Sequence, residues 1–174
     1  MKRLFIVGAS ILQVPAILKA KEMGLYVAVA DINPNAIGID FTDEFFNVST
    51  IDKEGIYRAA KMFRADGIIT LATDQPMRPI AYACSRLGLV GISEETAYKA
   101  TQKDAMIEAF KANNVPHPWY YILEKPSDLS MIIDKVEYPC ISKPTDNSGS
   151  RGVVIIHNES ELMSGVHYSS SKGR

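Results

Sequence analysis

Short apolar runs recur along the first half of the chain and alternate with segments of helical spacing. Helical spacing is found at residues 11–23, 53–65 and 76–87, between most of these runs. Runs such as Phe5-Ile6-Val7 are apolar on both faces, which is typical of parallel strands covered by helices on both sides. The pattern predicts a doubly wound parallel α/β sheet of five strands, at residues 4–7, 26–30, 45–48, 67–71 and 89–92.

Local signals indicate where the helices begin and end. Asp52 precedes the second helical segment and suits an N-cap, and Pro76 suits the first turn of the third. Gly24, Gly67 and Gly88 stand where helices return to strands, and a left-handed glycine is usual at such a C-cap. We therefore expect each helix to end at one of these glycines.

The pattern changes after about residue 93. Helical spacing continues over residues 94–112, and Asn158 with Glu161 three residues later forms a capping-box arrangement at the start of a last helix. Between them the sequence predicts three strands, at 119–122, 140–143 and 153–156, and a short helix at about 127–135. So few strands make a thin sheet. We predict a first domain at 1–93 and a second, incomplete domain at 94–174.

The composition is that of a globular protein, with 47% apolar residues, 22% charged residues and a formal net charge of −1. This balance gives no electrostatic footprint for nucleic acid, and no apolar stretch is long enough to cross a membrane. Cys84 and Cys140 are too few for a disulfide scaffold and lack metal-ligand spacing. The basic start and the apolar run that follows resemble a secretory signal peptide, but Gln13 and Pro15 interrupt the run. We expect a cytoplasmic protein that binds neither nucleic acid nor membrane.

The turn after the first strand is a candidate ligand site. A dinucleotide fingerprint needs three glycines, and here only Gly8 fits, because Ser10 and Gln13 occupy the other two positions. Bare amides at the helix N-terminus could still bind an anion, and a plain βα turn is equally open. Asp31, at the end of the second strand, would hold ribose hydroxyls or begin a solvated turn.

Thr73 and Asp74 follow the fourth predicted strand. In the usual doubly wound order, the first and fourth strands flank the point where the winding reverses, so the loops that leave them face one crevice. Gly8, Ser10, Thr73 and Asp74 would then line a small-molecule pocket. A capping role for Asp74 ahead of Pro76 is equally consistent.

The nine-residue connection 144–152 between the last two strands is rich in glycine and serine, and two basic residues, Lys143 and Arg151, bracket its first glycine. Glycines let backbone amides approach phosphate oxygens, small hydroxyls donate further hydrogen bonds, and basic side chains add charge-assisted ones. A flexible hairpin tip is the alternative, but nine residues exceed what a hairpin needs. The candidate phosphate ligands are Lys143, Ser148, Gly149, Ser150, Arg151 and Gly152.

Two stretches of the second half resemble the ATP-grasp superfamily. Ile141-Ser142-Lys143-Pro144, followed by Ser148-Gly149-Ser150-Arg151-Gly152-Val153, is similar to the glycine-rich loop of that superfamily. Thr101-Gln102-Lys103-Asp104, followed by a helix and Val115-Pro116-His117-Pro118, is also similar. The preceding hundred residues resemble the Rossmann-like domain that commonly precedes the grasp domain, above all in short proteins similar to the large subunit of carbamoyl-phosphate synthase.

The resemblance implies an ATP-dependent ligase, in which a carboxylate attacks the γ-phosphate and an amine or similar nucleophile captures the acyl phosphate. Lys103 and Lys143 match lysines that contact the ATP phosphates or the adenine-side wall, and residues 148–152 match the loop that closes over the phosphates. Loop amides, lysines and Mg²⁺ would stabilise charge on the transferring phosphoryl group. The first domain would contribute the site for the acceptor carboxylate, with Gly8, Ser10, Asp31, Thr73 and Asp74 as its candidate residues.

The chain also departs from the superfamily. ATP-grasp enzymes hold ATP between two lobes, and nothing after Ile156 matches the lobe that supplies the acidic Mg²⁺ ligands. We therefore predict a truncated protein, with a pre-ATP-grasp domain at 1–93 and the first part of a grasp domain at 94–174. It would lack ligase activity alone, bind ATP weakly, hold no metal ligands of its own and be compatible with a homodimer. The main alternative is a non-catalytic Rossmann-like module that senses a nucleotide or a sugar; an NAD-dependent oxidoreductase is disfavoured by the missing glycines.

Overall fold

The computed structural model describes residues 1–173, which form two compact units, one ending at Thr101 and one beginning at Gln102. The first unit contains four parallel strands in the order β3-β2-β1-β4: β1 (Arg3–Val7), β2 (Tyr26–Asp31), β3 (Glu44–Asn47) and β4 (Gly67–Ile69). Its α-helices are α1 (Val14–Glu22), α2 (Lys53–Phe63), α3 (Met77–Leu87) and α4 (Glu94–Thr101), and a short 3₁₀ helix spans Ile37–Phe41. The predicted parallel α/β sheet is confirmed.

Helices cover both faces of the sheet, as the double-sided apolar pattern of β1 requires. Phe5, Ile6 and Val7 are each 0% exposed. Phe5 and Val7 pack in one cluster with Phe63 of α2, and Ile6 packs in a second cluster with Ile17 of α1. Each such burial stabilises the fold by about 1.5–3 kcal/mol relative to exposure, which explains why the central strand carries no polar residue at these positions.

The predicted fifth strand at 89–92 is wrong. The backbone N–H of Leu89 donates to the carbonyl of Cys84 at 3.0 Å, so it closes the end of α3 and does not pair with β4. Val90 is 99% exposed, although it is apolar. An apolar run forms a strand only where a neighbouring backbone accepts its hydrogen bonds.

Two of the three predicted glycine C-caps are present. Gly24 and Gly88 have positive φ angles of 73° and 66°, whereas Gly67 is already the first residue of β4. Arg64, with φ at 55°, takes the left-handed position after α2. The predicted N-cap of α2 is confirmed, because Asp52 Oδ1 accepts from the Gly55 N–H at 3.0 Å.

Helix α4 lies with the first unit, whereas the sequence predicts a division after residue 93. Ala97 of α4 is buried, and the Thr101 hydroxyl accepts from Arg78 Nε of α3 at 2.8 Å. Arg86 of α3 and Glu94 of α4 form an ion pair at 2.9 Å. These contacts fasten α4 to α3.

The second unit contains a two-stranded antiparallel sheet, and the helix that contains Gly165 packs against one face of this sheet. Gly165 lies so close to the sheet that a Cβ there would be 2.8 Å from Ile156 Cδ1. Leu129, Ile156, Leu162 and Val166 form the core. The elements are α5 (Lys103–Ala112), 3₁₀ helices at Pro126–Met131 and Ile133–Lys135, β5 (Cys140–Ser142), β6 (Val154–Ile156) and α6 (Glu159–Ser170).

Three predictions for the second half need correction. The single helix predicted over 94–112 is two helices, because Gln102 has an extended backbone (φ −109°, ψ 115°). The strand predicted at 119–122 is absent; Trp119 and Tyr121 are 46% and 43% exposed, and within residues 1–173 β5 and β6 pair only with each other. The short helix near 127–135 is 3₁₀ rather than α. A fourth prediction, the capping box at the start of α6, is also wrong: the Asn158 side chain caps no N–H of the helix, and Glu161 accepts from the N–H of His157 at 2.9 Å.

None of the helices in the described residues combines the length and apolar character that crossing a bilayer requires.

Candidate functional site

The glycine-rich loop (residues 144–152) is fastened at its first half to the start of α5. The backbone N–H of Lys103 donates to the carbonyl of Thr145 at 2.9 Å, and Gln102 Nε2 lies 3.2 Å from the Thr145 hydroxyl. The Lys103 ammonium donates to the carbonyl of Asn147. Lys103 therefore stands beside the same end of the loop as Lys143, and part of its bonding capacity holds the loop in place.

The other end of the loop is fastened to the end of α6. Gly152 is buried with φ at +83°, and its carbonyl accepts from the Ser169 hydroxyl at 2.8 Å. Asn147 Nδ2 donates to the carbonyl of Lys172 at 2.9 Å. A Cβ at Gly152 would lie 2.7 Å from Lys172 Cβ and 2.8 Å from Pro144 Cγ, so only glycine fits.

The tip of the loop projects between these two anchors. Gly149 and Ser150 have left-handed φ angles of 66° and 57°, and both are exposed. Within residues 1–173, the N–H groups of residues 149–151 have no hydrogen-bond acceptor. Consecutive N–H groups in such a turn can converge on an anion. Arg151 Nε lies 3.4 Å from the carbonyl of Ser148, which keeps the guanidinium close to the tip.

One face of the β5–β6 hairpin is apolar and exposed. Ile141 and Ile155 are register partners on this face and are 60% and 58% exposed. Val153 follows on the same side by alternation and is 39% exposed. Alternation also places Lys143 on this face, next to the loop, where in the described residues its exposed ammonium makes no hydrogen bond or ion pair. The result is an apolar surface with a cation and unpaired N–H groups at one end.

In the first unit, the strand order places the predicted crevice at β1 and β4, where the winding reverses. Gln13 Nε2 donates to the carbonyl of Leu71 at 2.5 Å, and the Thr70 hydroxyl donates to the carbonyl of Val7 at 2.8 Å. The loops that follow β1 and β4 are therefore joined side by side. Thr73 and Asp74 lie in the second of these loops and are exposed.

Two of the N–H groups after β1 that could bind an anion already have acceptors. Gly8 takes φ at 104°, as a tight turn requires, but the next two N–H groups have acceptors. The Ala9 N–H donates to Asp31 Oδ2 at 2.8 Å, and both the N–H and the hydroxyl of Ser10 donate to Gln13 Oε1, at 3.0 and 2.6 Å. Side-chain oxygens of the same unit, one from Asp31 at the end of β2 and one from Gln13, therefore accept from these N–H groups.

Asp31 and Asp74 differ in their surroundings. Asp31 Oδ1 accepts from the Asn33 N–H at 2.9 Å, so Asp31 begins a turn, as one of its two interpretations predicts. The carbonyl of Asp74 accepts from the Met77 N–H at 3.1 Å, but within the described chain its carboxylate caps no helix. The capping alternative for the Asp74 side chain is therefore wrong.

Sequence reasoning missed two residues that shape these sites. Gln13 is 3% exposed and joins two loops, and Asn147 joins the glycine-rich loop to Lys172. The only available signal for Gln13 was a polar residue at a position where the fingerprint has glycine. No group of three or more His, Cys, Asp or Glu side chains that could hold a metal occurs in residues 1–173.

Several known enzymes are similar to this chain in sequence. No established family profile matches the chain. A formate-dependent phosphoribosylglycinamide formyltransferase from Hydrogenovibrio crunogenus is 23% identical over 181 residues, covering 99% of this chain and 44% of that protein. An alanine–anticapsin ligase from Bacillus subtilis is 34% identical over 103 residues, covering 59% of this chain and 22% of the ligase.

Solved structures of similar enzymes share the fold of this chain. The solved structure of an N5-carboxyaminoimidazole ribonucleotide synthetase in complex with ADP matches 99% of this chain and 47% of its own, with a TM-score of 0.82 and 18% identity, which shows the fold. The chain spans less than half the length of the curated relatives that it matches. Its homologues and structural neighbours are ATP-grasp enzymes, and the chain is related to a short N-terminal portion of them.

Proposed function

We propose that the chain is the N-terminal part of an ATP-grasp ligase and that the β5–β6 hairpin with its glycine-rich loop binds ATP. The observation that carries this proposal is the loop tip, where the N–H groups of residues 149–151, which have no acceptor among residues 1–173, project between two anchored ends. A loop held at both ends loses little conformational freedom when it closes on a ligand. Exposed N–H groups at left-handed residues are suited to phosphate oxygens.

The hairpin offers complementary surfaces for the two ends of the nucleotide. Ile141 and Ile155 provide an apolar face for the base, and Lys143 stands between that face and the loop. Its ammonium would neutralise phosphate charge, with Ser148 to Gly152 above it. In the proposed reaction ATP activates a carboxylate as an acyl phosphate, which an amine or similar nucleophile then captures. Mg²⁺ would assist the transfer, and its ligands would come from outside residues 1–173.

The first unit would provide the acceptor side, at the crevice that Gly8, Ser10, Asp31, Thr73 and Asp74 surround. The proposal keeps a pre-ATP-grasp domain at 1–93 and the first part of a grasp domain at 94–174 as the division by resemblance, although α4 packs with the first compact unit. It also keeps a cytoplasmic location and compatibility with a homodimer. The names of the relatives offer two acceptor chemistries: a phosphoribosyl compound in one, and alanine with anticapsin in the other. Both classes present a small carboxylate or amine.

The test is a titration of the ¹⁵N-labelled chain with ATP and Mg²⁺, followed by the amide signals of residues 149–151. We expect saturable shifts with a Kd of about 1 mM or weaker, because the hairpin encloses only one side of the ligand. Lys143→Met should weaken binding by about tenfold or more, since it removes a charge-assisted contact to phosphate. Lys135→Met, which removes an exposed lysine from a 3₁₀ helix of the same unit, is the matched control and should bind as the wild type does.

Two results would contradict the proposal. Absence of any shift at residues 149–151 in about 10 mM ATP and Mg²⁺ would refute nucleotide binding at the loop. Equal weakening by the variants at Lys143 and Lys135 would show that only the total charge matters. Robust ATP-dependent ligation by this chain alone would overturn the prediction that it is catalytically incomplete.

A further inference from the structure

The turn after β1 stands where many parallel α/β proteins bind phosphate. At this place the N–H groups between a strand and a helix usually point at an anion. Here two of those N–H groups already donate hydrogen bonds to side chains of the same unit. Asp31 Oδ2 lies 2.8 Å from the Ala9 nitrogen, and Gln13 Oε1 lies 3.0 Å from the Ser10 nitrogen.

Gln13 fills the space that a phosphate would need. Its side chain packs over Gly8, where a Cβ would meet Gln13 Cδ at 3.2 Å. Gln13 is 3% exposed. Its amide oxygen accepts hydrogen bonds from Ser10, and its amide nitrogen donates to the carbonyl of Leu71. A phosphate could reach the Ser10 N–H only by displacing Gln13, and this would leave the Leu71 carbonyl without a donor.

The charge at this edge of the sheet also opposes an anion. The turn holds the Asp31 carboxylate against its own backbone, close to where a phosphate oxygen would lie. The one lysine in the four segments that follow the strands, Lys53, has its ammonium 5.1 Å from the centre of the Tyr82 ring. The charged residues of these segments (8–13, 31–36, 48–53 and 70–76) are Asp31, Asp52, Lys53 and Asp74.

We propose that Gln13 is a specificity-determining residue that closes the turn after β1 to phosphate, so that an acceptor bound in this crevice is held at the turn by a group other than phosphate. The part of the acceptor at this turn would then be an unphosphorylated group, such as a carboxylate or an amine. Calling this ligand the acceptor rests on the proposed function. The exclusion of phosphate by the turn rests only on the contacts of Gln13 and Asp31.

The experiment titrates the ¹⁵N-labelled chain with inorganic phosphate and with ribose 5-phosphate, at constant ionic strength, and follows the Ser10 amide. In the wild type we expect no saturable shift. Gln13→Met keeps the length of the side chain but cannot accept from Ser10, so the Ser10 amide should become available and show a saturable shift with phosphate that the wild type lacks. Gln13→Glu keeps an oxygen that can accept from Ser10 but loses the donor to the Leu71 carbonyl; its negative charge also repels an anion, so we expect this variant to gain no phosphate binding. A purely structural role for Gln13 would not produce a gain of binding at one amide.

The outcomes separate this inference from the ligase proposal. A saturable shift of the wild-type Ser10 amide with either phosphate compound would overturn the inference about Gln13. A folded Gln13→Met variant that gains no phosphate binding would overturn it as well. The wild-type titration decides the question even where the methionine variant does not fold. Failure of ATP to shift residues 149–151 would refute the ligase proposal and leave the result at Ser10 intact.

Discussion

Gly149 and Gly152 stand three residues apart in the same loop and make a matched pair for testing how the loop is built. Both have left-handed backbones, with φ at +66° and +83°. They differ in surroundings: no heavy atom lies within 4 Å of a Cβ built at Gly149, whereas at Gly152 the nearest atoms are at 2.7 and 2.8 Å. Alanine at each position therefore separates backbone strain from crowding.

The expected free-energy costs follow from these distances. Alanine in a left-handed conformation costs about 1 kcal/mol relative to glycine, and this is the whole cost at Gly149. At Gly152 the new methyl group also overlaps Lys172 Cβ and the Pro144 ring, which are close to the backbone and cannot swing aside. Overpacking of this kind adds about 1–3 kcal/mol. We expect Gly152→Ala to destabilise the second unit by about 2–4 kcal/mol and Gly149→Ala by about 1 kcal/mol.

Urea unfolding monitored by tryptophan fluorescence measures the difference. Trp119 is the single tryptophan and lies in the second unit, so its emission reports on the unit that contains the loop. Circular dichroism on the same samples should show the first unit unchanged in both variants. Equal losses of stability at the two positions would refute the packing of residue 152 against Lys172 and Pro144.

Two further predictions concern the first unit and are measured by urea unfolding followed by circular dichroism. Asp52→Ala should cost about 1 kcal/mol, because the Gly55 N–H loses its acceptor, whereas Asp52→Ser should restore most of the loss. For Asp43, burial raises the pKa, but the hydrogen bonds from Lys21 and the Val27 N–H outweigh it and leave the pKa lowered. The contribution of the Asp43 carboxylate to the free energy of unfolding is therefore present above about pH 4 and is lost as the pH falls. The wild type should lose more of its free energy of unfolding between about pH 5 and 3 than Asp43→Asn does. Equal losses in the two proteins over this range would contradict the prediction.

The sheet was predictable because its signals are local. Phe5-Ile6-Val7 carries the double-sided apolar pattern of a central parallel strand, and the structure buries all three side chains. Asp52 likewise acts on a helix that begins at the next residue. The two failed strands, at 89–92 and 119–122, have the composition of strands but depend on a distant backbone that would accept their hydrogen bonds. Composition does not contain that information.

The contacts that shape the candidate sites are non-local for the same reason. The Lys103 ammonium bonds a carbonyl 44 residues away, and Gln13 bonds a carbonyl 58 residues away. A pattern in the sequence can propose that a lysine faces phosphate, but it cannot show that the lysine also holds the loop. The helix break at Gln102 belongs to the same set of contacts, since Thr145 accepts from residues 102 and 103.

The two glycine turns of the chain show what makes a phosphate site. The turn after β1 stands at the usual place for phosphate in a doubly wound sheet, but its N–H groups at Ala9 and Ser10 already bind Asp31 and Gln13. The turn between β5 and β6 joins two strands, a less usual place, and the described chain leaves the N–H groups of residues 149–151 without acceptors. Both turns contain glycine, one in the first and two in the second, so the presence of glycine alone cannot decide between them. What decides between the two turns is whether their N–H groups already have acceptors, because an anion gains only the hydrogen bonds that the protein has not already made. Under the proposals made above, ATP phosphates would therefore bind at the turn between β5 and β6, whereas the turn after β1 would exclude phosphate.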